Sequence, residues 1–461
     1  MYLLRVYSAT LRLVRSMSSL KSEALVPVGV RGMTVLDRDK FSLDVTIPVL
    51  KVGEDLLAKT VQVCKPYFLK FENFKPVQTC GTNGTDSCTK KYIHLNPEKV
   101  TTWSDIREED RNLLESRGID ENCFTNKLVK LTYSNWKFEQ IFKSVLPENE
   151  EVVSSFSQIG HIIHLNLRDH LLDYRSLIGQ VLVDKIKTCR TVVNKCNIID
   201  NTYRNFKMEV IAGDDDFLVT VSENRCNFQF DFSKVYWNPR LGKEHERILS
   251  FLKPDDVLFD VFCGVGPFAV PAAKRKCRVF ANDLNPDSYH WLNENAKNNK
   301  VNMKLFQSYN LDGKDFIQTV FKKYMMDYCK GEEKLAEGAK IHVTMNLPAL
   351  AVEFLQYFNG LIKDSDVIEK LDCNIIVYVY CFAVGDCPAS VEKVAKEMVY
   401  KNIGCNISSD IVDVFDVRNV SPKKEMMRVT FKLSKNVLSG DYESICDSEP
   451  PQKKVCIKDD N

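Results

Sequence analysis

The chain has 461 residues, 44% hydrophobic and 27% charged, a globular composition long enough for two or three domains that excludes a fibrous or wholly disordered protein. Lys+Arg (63) nearly cancels Asp+Glu (62), so the net charge of +1 names no partner, and any nucleic-acid surface has to come from local clusters. The 16 cysteines form no CxxC pair and no zinc-finger spacing, and Cys263, Cys277 and Cys381 sit inside apolar runs, which fits a reducing compartment and argues against a disulfide framework or a structural metal.

In chain order, residues 1–25 come first. "MYLLRVYSATLRLVRSMSSLKS" carries Arg5, Arg12, Arg15 and Lys21, several serines, and no acid before Glu23. As a helix it would set Leu and Val opposite Arg, the pattern of a mitochondrial targeting presequence; a basic tail is the alternative. Residues 26–150 mix alternating stretches ("FSLDVTIPVLKV"), charged helical pieces ("SDIREEDRNLLESRG") and a Gly/Thr/Cys-rich loop, "QTCGTNGTDSC". They read as folded, without legible chemistry. No apolar run approaches the ~20 residues of a membrane span, so no membrane partner is expected.

Residues 151–232 run strand ("IGHIIHLNL"), helix ("LLDYRSLIGQVLVDKI"), strand ("CRTVVNKCNII"), a small α/β domain. From 233 to 438 the pattern is regular: "VLFDVF", "CRVFAND", "IHVTMN" and "CNIIVYVYCFA" alternate with the helix-period stretches "PFAVPAAKRK", "PDSYHWLNENAKNN", "ALAVEFLQYF" and "ASVEKVAKEMVYKNI". This predicts an α/β fold with a parallel sheet covered on both faces. "DIVDVFDVRNVS" and "KEMMRVTFKL" have no helix between them and are expected to pair as an antiparallel edge hairpin. Residues 439–461, polar and Pro-containing, read as a disordered tail.

The first of these strands ends in "DVFCGVGPF", with Asp260, Gly264 and Gly266, and the next ends in Asp283, where a carboxylate can accept from ribose hydroxyls. A dinucleotide fingerprint would place a third glycine where Ala269 stands. The loop therefore suits a nucleoside without phosphates, such as S-adenosylmethionine. Asp312 in "NLDGKDF" can accept from an adenine amino group or cap a helix, and taken alone it favours the cap. Asn346 and Pro348 in "MNLPALAVEFL" can hold a planar ring by its edge or form an ordinary turn.

With "VYWNPRLGKEHERI", "DVFCGVGPFAVPAAK", "NDLNPDSYHWLNENAKNN", "NLPALAVEFL" and "RNVSPKKEMMRVTFKL" in that order, the sequence resembles the eukaryotic–archaeal tRNA (guanine-N1) methyltransferases that modify guanosine 37. The resemblance is strong over roughly 155–435. It implies a seven-stranded class I, Rossmann-like methyltransferase sheet after a smaller RNA-positioning domain. It also implies methyl transfer from S-adenosylmethionine to N1 of guanosine 37 in cytoplasmic and mitochondrial tRNAs. The resemblance further implies that this reaction supports reading-frame maintenance and, in tRNA-Phe, is the first step toward wybutosine. The expected location is the mitochondrial matrix, with cytoplasm and nucleus besides.

N1 of guanine must lose a proton before it attacks the sulfonium methyl. Glu244 matches the family's general base, with a first-turn helix carboxylate as the alternative; apolar neighbours would raise its hold on a proton. Arg204 matches the arginine that stabilises charge developing on O6, the alternative being an ion pair with Asp200 or Glu209. Asn346 would accept from the exocyclic amine while Pro348 fixes the loop. Tyr236 matches a position beside the target base, its alternative being core packing. His245, Leu284 and Leu311, with Asn346 and Pro348, fall at cofactor-contacting positions. Arg240 is a candidate for the target nucleotide or its phosphate, and Arg418, Lys423 and Lys424 for tRNA phosphates, or else plain solvated surface. A related tRNA aminocarboxypropyltransferase would share the glycine loop, and a silent tRNA-binding protein would lack Glu244 or that loop. Without a heptad or a large apolar stripe, a monomer is expected.

Overall fold

The computed structural model describes residues 27–79 apart from 28, 90–147, 156–199 and 206–441. The targeting stretch, most of the Gly/Thr/Cys-rich loop, the tail beyond Asp441 and Arg204 lie outside them. The chain divides into two compact units. One takes the described residues of 27–157, 163–195 and 209–215; the other takes those of 158–162, 196–208 and 216–441. The segment 151–232 is shared between them.

The first unit is built around an antiparallel sheet. Strands β1 (Leu43–Gly53), β2 (Val77–Thr79), β3 (Lys90–His94) and β4 (Phe124–Leu131) lie in the order β2-β3-β1-β4. Successive side chains of a strand point to opposite faces, and β1 uses both. Val45, Ile47 and Val49 pack with Ile141 and Phe142 of α3 (Phe138–Val145) and Leu177 and Ile178 of α4 (Arg175–Lys185). Leu50 and Val52 pack with Val63 and Cys64 of α1 (Glu54–Cys64) and Leu114 of α2 (Glu108–Glu115). Four further strands, β5 (Ser157–Ile159), β6 (Ile162–Leu165), β7 (Thr191–Ile199) and β8 (Phe206–Gly213), form a sheet in chain order.

In the second unit, β9 (Leu218–Glu223) and β10 (Cys226–Asp231) make an antiparallel hairpin. The expected seven-stranded sheet follows. Its strands are β11 (Val257–Asp260), β12 (Arg278–Asn282), β13 (Phe306–Tyr309), β14 (Ile341–Met345), β15 (Ile375–Val384), β16 (Ile411–Ser421) and β17 (Lys424–Lys432), in the order β13-β12-β11-β14-β15-β17-β16. The first five run parallel, and β17 pairs antiparallel with both β15 and β16, as the edge hairpin read from the sequence requires. One face buries Phe259, Val343, Val377, Val379, Val429 and Phe431 against Phe316, Phe321, Phe358 and Val391. The other carries Tyr378 and Tyr380, one residue out of phase.

Two segments depart from the sequence reading. "ALAVEFLQYF", expected as a helix of ordinary pitch, is a 3-10 helix over Ala351–Tyr357. Its buried residues explain this: Val352, Leu355 and Phe358 recur every third position, and three residues per turn put them on one face. A helix at Lys322–Lys330, missed in the sequence, follows a π-helical stretch at Phe316–Phe321. Among the described residues, no helix is long and apolar enough to cross a membrane.

Candidate active site

The carboxyl ends of β11, β12 and β14 form one wall. Gly264 and Gly266 both have positive φ, +55 and +98. A Cβ on Gly266 would lie 2.8 Å from Leu292 Cδ1 and Val270 Cγ2, whereas one on Gly264 would meet nothing within 4 Å. Gly266 is therefore needed for packing, and Gly264 keeps the backbone bare. Asp283 braces this loop, its Oδ2 accepting from Gly264 N at 2.8 Å and its Oδ1 from Asn285 N at 2.9 Å. Burial nevertheless raises the Asp283 carboxyl above its ordinary range, against those bonds.

Asp260 is fully buried, with one partner: Thr344 Oγ1 donates to Oδ1 at 2.8 Å, and Oδ2 has none. Burial pushes this carboxyl up to about 7, opposed by the Thr344 bond and assisted by the nearby Asp283 charge. A donor brought by a ligand would satisfy Oδ2, and a cation would favour the ionised form. Leu284 is 47% exposed at the tip of β12, and Leu311 is half-buried against the core. Asp312 is a helix N-cap, Oδ1 accepting from Lys314 N at 2.8 Å. His245 sits against the Phe268 ring at 4.8 Å, with Nδ1 2.6 Å from Glu223 Oε1.

The other wall comes from α5 (Gly242–Phe251), the tip of β14, β15 and β17. Glu244 on α5 is 4% exposed. Its neighbours are not the apolar ones expected from the sequence. Tyr380 Oη donates to Oε1 at 2.9 Å, and Arg428 Nη1 donates to the same oxygen at 2.6 Å. Oε2 makes no hydrogen bond, although Arg247 Nε lies 3.3 Å away within ion-pair range. Arg428 itself is 1% exposed; burial alone would weaken its hold on its proton, but Glu244 and Tyr380 outweigh that and raise it. Tyr380 is raised well above its ordinary value, first by burial and then by Glu244, so it stays a donor.

Next to this pair, Asn346 Oδ1 is a third buried acceptor without a partner. Its loop is pinned to β15, because Phe382 N donates to Pro348 O at 3.1 Å, while Leu350 N and Ala351 N both return to Leu347 O. The strand register links the three acceptors: Asp260 faces Thr344, Met345 faces Val379, and Tyr380 faces Arg428. Asp260 and Asn346 thus lie at the same ends of adjacent strands, and the bond from Tyr380 ties Glu244 of α5 to that edge of the sheet.

Of the remaining expected residues, Tyr236 is 57% exposed, which rules out core packing, and its Oη accepts from Asn238 Nδ2 at 3.3 Å. Arg240 is exposed one short turn further on. Lys424 lies over the Phe382 ring at 4.6 Å, beside the pinned Pro348 loop, and Lys423 pairs with Asp386 at 2.7 Å. Arg418 donates to Asn419 O. Glu209, offered as a partner of Arg204, is bonded to Arg175 at 3.1 Å. Sequence reasoning missed Tyr380 and Arg428. The available signal was an arginine inside "MMRVTF", a strand otherwise apolar enough to be interior.

Two family models match, "TYW2 N-terminal domain" over residues 138–216 and "TRM5/TYW2 methyltransferase domain" over residues 219–375. A protein of Anopheles gambiae named tRNA (guanine(37)-N(1))-methyltransferase is 48% identical over 416 residues, covering 90% of this chain and 71% of its own. A Drosophila melanogaster protein of the same name is 45% identical over 417 residues, covering 90% and 88%. The crystal structure of Trm5b from Pyrococcus abyssi superposes with a TM-score of 0.54 at 21% identity, covering 84% of this chain and 99% of that one, which is a likeness of fold.

Proposed function

The chain belongs to the family of tRNA (guanine(37)-N(1))-methyltransferases, whose reaction it catalyses with S-adenosylmethionine as cofactor, and from that premise we propose that Glu244 is the general base and Asn346 the residue that orients the target guanine. The single observation that carries the reading is the pair of buried acceptors that make no hydrogen bond, Glu244 Oε2, which has only Arg247 Nε in ion-pair range at 3.3 Å, and Asn346 Oδ1. A guanine edge presents two donors side by side, N1–H and the exocyclic amine. Buried polar atoms without partners are costly, so a ring supplying both donors is favoured over one supplying neither.

In the proposed reaction Asn346 accepts from the exocyclic amine, and Glu244 Oε2 takes the N1 proton. The N1–H bond breaks, its electron pair stays on the ring, and charge spreads to O6, where Arg204 is assigned as the stabilising cation. Tyr236, exposed near the site, offers its ring for stacking. S-adenosylmethionine supplies the electrophilic methyl. Asp260 and Asp283 with the bare Gly264 fit it, because Asp260 Oδ2 lacks a donor and the cofactor brings donors and positive charge. Arg240, Arg418, Lys423 and Lys424 are assigned to tRNA phosphates. The acid-free basic stretch before Glu23 supports delivery to the mitochondrial matrix as well as action elsewhere in the cell, and with it the modification of organellar tRNAs.

The test is methyl transfer from labelled S-adenosylmethionine to an unmodified tRNA transcript bearing G37, beside its G37→A variant and a Glu244→Gln enzyme. Label is expected as 1-methylguanosine with the G37 transcript alone, and Glu244→Gln is expected to lower the rate by about 10²–10⁴-fold, the usual reach of general-base catalysis, with cofactor affinity kept. Native rate in Glu244→Gln would remove it as the base.

A further inference from the structure

A base that takes a proton from one ring nitrogen has to present one oxygen and keep it presented. Around Glu244 the other oxygen is held from two strands at once. Tyr380 on β15 and Arg428 on β17 face each other across the ladder, and both donate to Oε1. The guanidinium is fixed in turn. Its Nε donates to Thr430 Oγ1 at 3.1 Å, and its Nη2 donates to Asp413 Oδ2 at 2.8 Å. Phe415 covers it at 5.0 Å and stacks on Arg247 at 4.0 Å.

Asp413 reaches Arg428 only because the edge strand is irregular. On β16, Ile411 opposes Phe431, but Asp413 opposes Thr430, so one extra residue is inserted at Val412, which is exposed. In a regular strand residues 411 and 413 would share a face, and Ile411 packs into the main core. The bulge turns Asp413 to the opposite face, where Arg428 lies. A bulge that re-aims an acid onto a buried cation is the second observation, independent of the Glu244 contacts.

We propose that Asp413, Arg428 and Tyr380 form a positioning set that grips Glu244 by Oε1 and presents Oε2 to the target guanine. The inference rests on the reading of Glu244 as the base. It also assigns Asp413 a role of its own. When Oε2 takes the N1 proton, Glu244 becomes neutral, and Asp413 remains as the counter-charge of a cation that is 1% exposed. None of the three residues touches the guanine; each acts through Glu244.

The experiment measures single-turnover methyl transfer to the G37 transcript, with KM for tRNA and cofactor, for Tyr380→Phe and Asp413→Asn in the native chain and again in the Glu244→Gln chain. Both are mild changes, unlike loss of Arg428, which could unfold the protein. Tyr380→Phe is expected to slow transfer by about tenfold and Asp413→Asn by about threefold, with KM unchanged, as misplacement of a reacting group does. Neither should slow Glu244→Gln further, since the group they position is gone. An unchanged rate in both single variants, a loss confined to KM, or the same loss in both backgrounds would overturn the set, the last by showing a role in general architecture. Native rate in Glu244→Gln alone would instead sink the base, and the set with it.

Discussion

Two walls of one site each bury a carboxylate, and they treat it differently. Asp260, at the end of β11, has a single hydroxyl donor and is pushed up to about 7 by burial. Glu244, on α5, receives a phenol and a guanidinium on one oxygen. Burial by itself makes an acid that holds its proton; a built-in cation makes an ion pair. The cofactor wall leaves its counter-charge to a ligand that carries one, whereas the base wall has it in the chain, because a neutral guanine brings none.

The contrast can be broken most sharply at Arg428. Replacing it with Met leaves buried Glu244 with only the partly exposed Arg247 as a cation, at an expected cost of about 3 kcal/mol, read from denaturant unfolding. Adding Glu244→Gln to that chain should recover a large part of the loss, because no buried charge then remains unpaired. A small effect of Arg428→Met, or no recovery in the double variant, would mean that the pair does not hold this wall together. Substitution at Asp260, which has no cation to orphan, should cost far less.

The glycine loop sharpens the comparison on the cofactor side. Gly266→Ala forces a methyl against Leu292 and Val270 at 2.8 Å in a backbone with φ of +98, and should destabilise by about 1–3 kcal/mol. Gly264→Ala meets no atom within 4 Å, so it carries the strain of φ +55 alone, about 1 kcal/mol. Its larger effect should be on S-adenosylmethionine affinity. Thermal melts and cofactor titration of both variants separate the two roles; equal melts with equal affinities would contradict them.

How much of each wall could be read in advance follows from how it is assembled. Asp260, Gly264, Gly266 and Asp283 belong to two neighbouring strand-loop units, so strand pattern, glycine spacing and an acid at the next strand tip were enough. The base wall draws residues 244, 346, 380, 413 and 428 from separate elements. Glu244 and Asn346 take their roles from the family resemblance, while Tyr380 in "VYVYCF" carries no mark that separates it from an ordinary strand residue. Arg428 was detectable as a charge inside an apolar strand, but its partner was not, because the bulge at Val412 leaves no local mark and decides which face Asp413 takes. The parallel sheet and its edge hairpin are legible from alternation and missing helices; the 3-10 pitch of 351–357 is not, since three- and four-residue spacings overlap in so short a run.

A pH dependence separates the walls most cleanly. Because the folded carboxyl of Asp260 sits near 7 and its ordinary value is 3.8, the folded protein keeps a proton that the unfolded chain has released between those values. Its contribution to stability is therefore fully present below 3.8 and is lost as pH rises through 7. Cofactor binding should run the other way. A ligand with net positive charge favours the ionised carboxylate, so S-adenosylmethionine affinity should rise by up to about tenfold as pH increases through 7, and the slope should flatten in Asp260→Asn. Asp283, also raised by burial, adds to the same trend and would leave a residual slope in that variant. S-adenosylmethionine titrations from pH 6 to 8, native against Asp260→Asn, measure both. Identical slopes would mean that the Asp260 charge does not reach the cofactor, leaving its buried oxygen to a neutral donor such as a ribose hydroxyl.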